Sequence, residues 1–148
     1  MEARGDSAEA SAASLAQKFR GALVGVAVGD TLGAPFEGSG SVSLDALQDL
    51  ERPRASLRYT DDTHMTLGLA QSLVEKQGFD GAHTASVFAQ NHREQPWRGY
   101  GPGPPQVFEL LSRGVPWDQA GRTLFDGKGS FGNGAAMRVA QLRLDQDS

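Results

Sequence analysis

The chain contains no cysteine in 148 residues. That absence removes a disulfide framework, a thiolate zinc site and a cysteine nucleophile together. Positive charge is also short. Fourteen Lys and Arg stand against 18 Asp and Glu, a formal net charge of −4, which argues against direct nucleic-acid binding and against a basic membrane-surface helix. No apolar run is long enough for a bilayer. The run GALVGVAVG after Arg20 has about nine residues where a spanning helix needs about 20. It follows Lys18 and Arg20 like the core of a signal peptide, but it begins late and closes on Asp30. With no cysteine to protect, these features predict an intracellular protein with no membrane segment.

What is present is the composition of a globular domain, with 39% hydrophobic and 22% charged residues. Glycine is the outlier, at 19 residues or nearly twice the usual share of about 7%. Residues 1–14 carry no large apolar side chain except Met1 and are expected to be a disordered tail. Residues 15–148 are expected to form one unit. Ser14 and Gln17 make a capping box that opens a helix over Leu15 to about Leu32. Within it Gly21, Gly25, Gly29 and Gly33 recur every fourth residue, a near-linear stripe whose usual return is close approach of a neighbouring helix or ligand. A buried strand over Ala22 to Val28 is the competing assignment, although no G-x-G-x-x-G follows it.

Further helices are expected near Leu44 to Leu50, over Thr60 to about Lys76, Gly81 to His92, Gln106 to Arg113 and Pro116 to Phe125, with a last one starting near Ala135. Asp80 is the expected N-cap of the third of these, Pro104 and Pro105 suit a first turn, and Gly78 and Gly114 are the stops. No stretch alternates with period two. The expected fold class is all-α.

Three segments offer chemistry. Thr60-Asp61-Asp62-Thr63 is at minimum a good helix start, a threonine cap followed by two acids at the positive end of the dipole. The same residues put two carboxylates and a hydroxyl on one turn, converging oxygen donors of the kind a hard cation such as Mg²⁺ prefers. Glu37, in GDTLGAPFEG, is a candidate further ligand. Lys128-Gly129-Ser130-Phe131-Gly132-Asn133-Gly134 is either a surface turn or a loop whose backbone N–H groups turn toward an anion. It is not a Walker A loop, because Gly129 separates Lys128 from Ser130. Arg98-Gly99-Tyr100-Gly101-Pro102-Gly103 is a second glycine loop, and Phe125 and Phe131 are placed to sandwich a base or to pack in a core. His64, His83 and His92 lack a zinc spacing, and no G-x-S-x-G elbow is present.

Taken together, FRGALVGVAVGDTLGAPFEG (19–38), YTDDTHMTLGLAQSLVE (59–75), RGYGPG (98–103) and GKGSFGNGAAMR (127–138) resemble, in order, the motifs of the ADP-ribosylglycohydrolase family. They look most like the branch that acts on ADP-ribosyl-serine, poly(ADP-ribose) and O-acetyl-ADP-ribose. The resemblance implies an all-α fold with two Mg²⁺ ions at the floor of an ADP-ribose cleft. It implies Thr60, Asp61 and Asp62 as metal ligands, with Glu37 the mobile glutamate that approaches the metals; Glu37, Asp61 and Asp62 are then the catalytic candidates. Lys128, Gly129, Ser130, Gly132, Asn133 and Gly134 would wrap the diphosphate and ribose. Gly99, Gly101 and Gly103 would line the other wall, and Phe125 and Phe131 would pack on the adenosine. Phe131 stands where the branch often has Tyr. The implied partners are ADP-ribose on serine-modified proteins or poly(ADP-ribose). The implied location is cytoplasm and nucleus, with the mitochondrial matrix as an alternative, and the complete protein would be a monomer.

One departure is large. Family members are about twice as long, and their second half carries a D-x-D-T segment that completes the metal shell. Residues 144–148 read LDQDS and contain no such motif. The expectation is therefore the N-terminal half of the domain, a truncated form with exposed helix faces and weak Mg²⁺ binding. A non-catalytic ADP-ribose binder, a structural relative like the eye-lens crystallins and an inactive fragment are the alternatives; intact Glu37, Thr60, Asp61 and Asp62 weigh against a purely structural role.

Overall fold

A computed structural model describes residues 3–52, 57–128, 130 and 132–139. Among the described residues, six α-helices follow in order: α1 (Ala3–Gly33), α2 (Leu44–Gln48), α3 (Asp61–Lys76), α4 (Gly81–Glu94), α5 (Gly103–Ser112) and α6 (Trp117–Ala120). Short 3₁₀ segments lie at Ala34–Phe36, Asp49–Glu51, Gly121–Gly127 and Ala136–Arg138, and no strand occurs among the described residues. The all-α expectation holds, and the strand alternative for Ala22 to Val28 is excluded by their place inside α1.

α3 and α4 form the centre. Thr60 caps α3 by accepting from the Asp62 N–H, and Asp80 caps α4 by accepting from the His83 N–H. That second bond holds the Asp80 carboxyl below its ordinary range. The helices meet where α3 has no side chain. A Cβ on Gly68 would lie 3.0 Å from both the Phe88 ring and the Asn91 amide of α4, so only glycine permits this approach without displacing them. Met65, Ala89 and Phe108 are the core there, joined by Phe88, Tyr100, Leu111 and Met137. Ser72, with no exposed surface, shares its hydroxyl with His83 Nδ1 and Thr84 Oγ1, each at 2.9 Å. His83 Nε2 then reaches Glu75 Oε2 at 3.1 Å. Ser72, His83 and Glu75 have the outline of a nucleophilic triad, but a buried serine hydroxyl that is shared with Thr84 is a clasp between helices.

Several boundaries differ from expectation. α1 starts at Ala3 rather than Leu15; residues 3–14 hold five alanines, the residue type that most favours helix. Among the described residues, no neighbour is seated on the α1 glycine stripe. Cβ atoms on Gly21, Gly25, Gly29 or Gly33 would meet nothing within 4 Å. Val24 and Val28 are 62% and 52% exposed, and α1 reaches the rest of the molecule through α3. At the end of α3 the left-handed position is taken by Gln77 (φ 52°) rather than Gly78. The expected helix from Pro116 to Phe125 stops at Ala120, because Leu124 leaves helical angles and Phe125 and Asp126 enter the left-handed region at φ 53° and 55°. Of the helix expected from near Ala135, the described residues show a 3₁₀ turn, Ala136–Arg138, and residues 140–148 lie outside the described residues.

Candidate functional site

α3 begins where two loops and α1 converge on it, and this junction opens into a cleft of about 840 Å³, within the usual range for a small-molecule site. The acidic end is built by capping. Thr60 has extended backbone (φ −102°, ψ −163°) and α3 starts at Asp61, which sets Asp61 and Asp62 in the first turn. Asp30, in the last turns of α1, ties this turn down. Its Oδ1 accepts from Thr60 Oγ1 at 2.6 Å, and its Oδ2 accepts from the Thr60 N–H at 2.8 Å, the Thr63 N–H at 3.1 Å and Thr63 Oγ1 at 2.6 Å.

The RGYG segment is fastened to the same entry. Arg98 stacks 3.7 Å from the centre of the Tyr59 ring, donates to the Tyr59 carbonyl at 3.1 Å, and is steadied by Gln95. Gly99 follows with φ +86°, a left-handed conformation, and a Cβ there would sit 3.9 Å from Asp61 Oδ1. Tyr100 turns inward, its hydroxyl 2.8 Å from His64 Nδ1 and its ring edge-on to His92. Burial, with the Asp61 charge adding to it, pushes the Tyr100 hydroxyl up to about 12, and burial lowers His64.

The opposite wall is the segment after residue 129. Asn133 Nδ2 donates to both oxygens of Asp62, at 3.0 and 2.9 Å. Thr66 donates to the Met137 carbonyl at 2.8 Å. Arg138 lies 5.2 Å from the centre of the Phe88 ring and 3.4 Å from the Met65 sulfur. Burial holds the Arg138 guanidinium below its ordinary value, against the opposing pull of Asp61 and Asp62.

Of the residues expected from sequence, Glu37, Asp61, Asp62, Gly99, Gly101, Gly103, Phe125, Ser130, Gly132, Asn133 and Gly134 line this one cleft. Thr60 and Lys128 do not line it; Thr60 lies behind Asp61 and Lys128 is exposed. Gly129 and Phe131 lie outside the described residues. Phe125 is on the wall with its ring beside Gly103. Three further residues shape the site with little or no sequence signal for that role. Arg138 closes the quoted AMR motif, which was its only signal. Phe88 looks like an ordinary core residue, and Asp30 belongs to α1, which gives no hint that it contacts residues 60 and 63.

The electrostatics centre on Asp61. Its carboxyl is pushed up to about 6, first by burial and then by Asp62, with Glu37 and Asp30 adding to the effect. A group of acids that raises its own proton affinity is relieved by a cation. The donors fit a hard divalent ion in kind, being two carboxylates and a hydroxyl. They fit less well in number, since an octahedral shell needs about six oxygens and, among the described residues, no three His, Cys, Asp or Glu side chains converge as a metal cluster. No described helix is long and apolar enough to cross a membrane.

Comparison with known proteins meets this geometry. Residues 11–147 match the family model described as ADP-ribosylglycohydrolase. The chain is 41% identical over 152 residues to the "ADP-ribosylhydrolase ARH3" of Mus musculus, covering 93% of this chain and 41% of the relative. It is 42% identical over 153 residues to that of Bos taurus, covering 94% and 42%, and 40% identical over 151 residues to that of Homo sapiens, covering 93% and 42%. The chain thus spans about 42% of the length of these curated relatives. With nearly all of its own length matched, it belongs to the ADP-ribosylglycohydrolase family.

Proposed function

We propose that the protein carrying this chain is a Mg²⁺-dependent hydrolase that cleaves the glycosidic bond at C1″ of ADP-ribose, on serine-modified proteins, poly(ADP-ribose) or O-acetyl-ADP-ribose. One observation carries the reading: in a chain of this family, the acid pair Asp61 and Asp62 and the glycine-loop residues Ser130, Gly132, Asn133 and Gly134 share a single cleft. The names of the relatives support it. An intracellular location, cytoplasm and nucleus first, goes with such substrates.

Thr60, Asp61 and Asp62, with Glu37 from the rim, would hold the cation, which when bound supplies Lewis acidity and a grip on ribose hydroxyls. The remaining work falls to the chain. Backbone N–H groups of the loop that includes Gly132 and Gly134, with Lys128 near, offer donors to a diphosphate. Phe125 and Phe131 give apolar faces for the adenosine, and Arg138 is a cation at the same wall. Asn133 holds the Asp62 carboxylate in one orientation through two bonds. Glu37, the more exposed acid of the cleft, and Asp61 both face the space where C1″ would gain oxocarbenium character.

The test is release of ADP-ribose from an ADP-ribosyl-serine peptide by the purified protein with Mg²⁺. Asp61→Asn combined with Asp62→Asn is expected to lower the rate by about 100-fold or more. No release by the unaltered protein, or release indifferent to both changes, overturns the reading. A second reading, a non-catalytic ADP-ribose binder, is favoured by the incomplete metal donor set. Saturable heat on titration with ADP-ribose, without turnover of the peptide, selects it.

A further inference from the structure

The geometry points to Asp30 as a positioning residue that acts through the Thr60 hydroxyl. The inference rests on the reading of Thr60, Asp61 and Asp62 as cation ligands and extends it to a residue that touches neither cation nor substrate.

A carboxylate only accepts hydrogen bonds, so the direction of each bond to Asp30 is settled. Thr60 Oγ1 gives its proton to Asp30 Oδ1 at 2.6 Å, and Thr63 Oγ1 gives its proton to Oδ2 at 2.6 Å. Two backbone N–H groups, of Thr60 and Thr63, also end on Oδ2, at 2.8 and 3.1 Å. Once its proton is committed, the Thr60 oxygen has only lone pairs left to offer. One meets the Asp62 N–H, at a long 3.4 Å. The first turn of α3 therefore carries a hydroxyl that acts as an acceptor beside Asp61 and Asp62, and a cation needs that polarity.

A simple join between α1 and α3 would not require it. Four donors of two kinds, gathered on one side chain from the two residues flanking the acid pair, fix both the torsion of Thr60 and the start of the helix. An amide at position 30 keeps the shape and reverses part of the pattern. Its NH₂ would donate to one of the threonine hydroxyls and occupy the lone pair a cation would use. Outer partners of metal ligands work in this way, orienting the ligand and raising its basicity.

The test uses Mn²⁺ alone as a probe, titrated into the purified protein and followed by its electron paramagnetic resonance signal. Asp30→Asn, Thr60→Val and the double variant are compared with the unaltered protein, each checked for helix content by circular dichroism. Asp30→Asn is expected to weaken Mn²⁺ binding by about 10- to 100-fold. In the Thr60→Val background the same change is expected to add less than about 2-fold, because the path through the hydroxyl is already cut. Equal losses in both backgrounds, or an affinity unchanged by Asp30→Asn, overturn the proposal and leave Asp30 a structural join. Should Asp30→Asn not fold, Thr63→Val removes the hydroxyl donor from Oδ2, loosens the Asp30 carboxylate and is expected to cost about 3-fold in Mn²⁺ affinity; no change overturns the proposal. Failure of the unaltered protein to bind Mn²⁺ overturns the cation reading itself, an outcome distinct from the others.

Discussion

α1 and α3 both carry glycine on a helix face, and the two faces have opposite fates. At Gly68 the missing side chain is filled by Phe88 and Asn91 of α4. Along Gly21, Gly25, Gly29 and Gly33 no described residue fills it. α3 is buried along one side by Met65, Thr66, Leu69 and Ser72, whereas α1 leaves Val24 and Val28 in solvent. A regular stripe of small residues is thus permission for close packing, and the packing itself depends on a partner.

The largest effect expected from this contrast is at Gly68. Gly68→Val puts two methyl groups where Phe88 and Asn91 lie and is expected to cost about 2–3 kcal/mol, read as a fall in denaturant midpoint. Cleft volume should change with it, since Phe88 is also a cleft wall. Next is Asp61, in the half-buried first turn of the same helix. Its carboxyl has a higher proton affinity folded than unfolded. In protein free of divalent cation, stability from this group is therefore fully present below pH 3.8 and is lost as pH rises through about 6. Asp61→Asn should then stabilise the metal-free protein at pH 7.5 by roughly 1 kcal/mol, a figure reduced for solvent screening, with no gain at pH 4. Thermal unfolding at the two pH values checks it, and an equal gain at both contradicts the assignment. The smallest effect is on α1. Gly25→Ala should stabilise by up to about 1 kcal/mol, because the new methyl enters open space and the helix loses a glycine. A loss of stability there would mean that a partner occupies the stripe.

The parts of the fold legible in the sequence are those with local signals. The ends of α3, α4 and α5 follow from Thr60, Asp80 and the prolines at 104 and 105, each acting within one turn. Where the determinant is remote, the sequence is silent. Periodic glycine is equally compatible with the open face of α1 and with a packed one. The early start of α1 rests on alanine propensity, a weak local signal where apolar anchors are lacking. The left-handed angle at Phe125 belongs to a residue type that rarely adopts it, so the break falls one residue before the Asp126-Gly127 turn signal. The cleft shows the same division. Asp61, Asp62 and Asn133 stand out by motif, while Asp30 becomes visible only when residues 30 and 60 are brought together.

The bonds that span the cleft also impose an order on its assembly. Asn133 to Asp62 and Thr66 to the Met137 carbonyl each join residues 71 apart, while the Ser72 clasp joins residues 11 and 12 apart. Closing the longer loops costs more chain entropy and must wait for the later residues to exist. During synthesis, α3 and α4 are free to pair well before the segment around Asn133 leaves the ribosome. The acid pair therefore emerges before the Asn133 wall, on helices already free to pair, and that wall is delivered to it later.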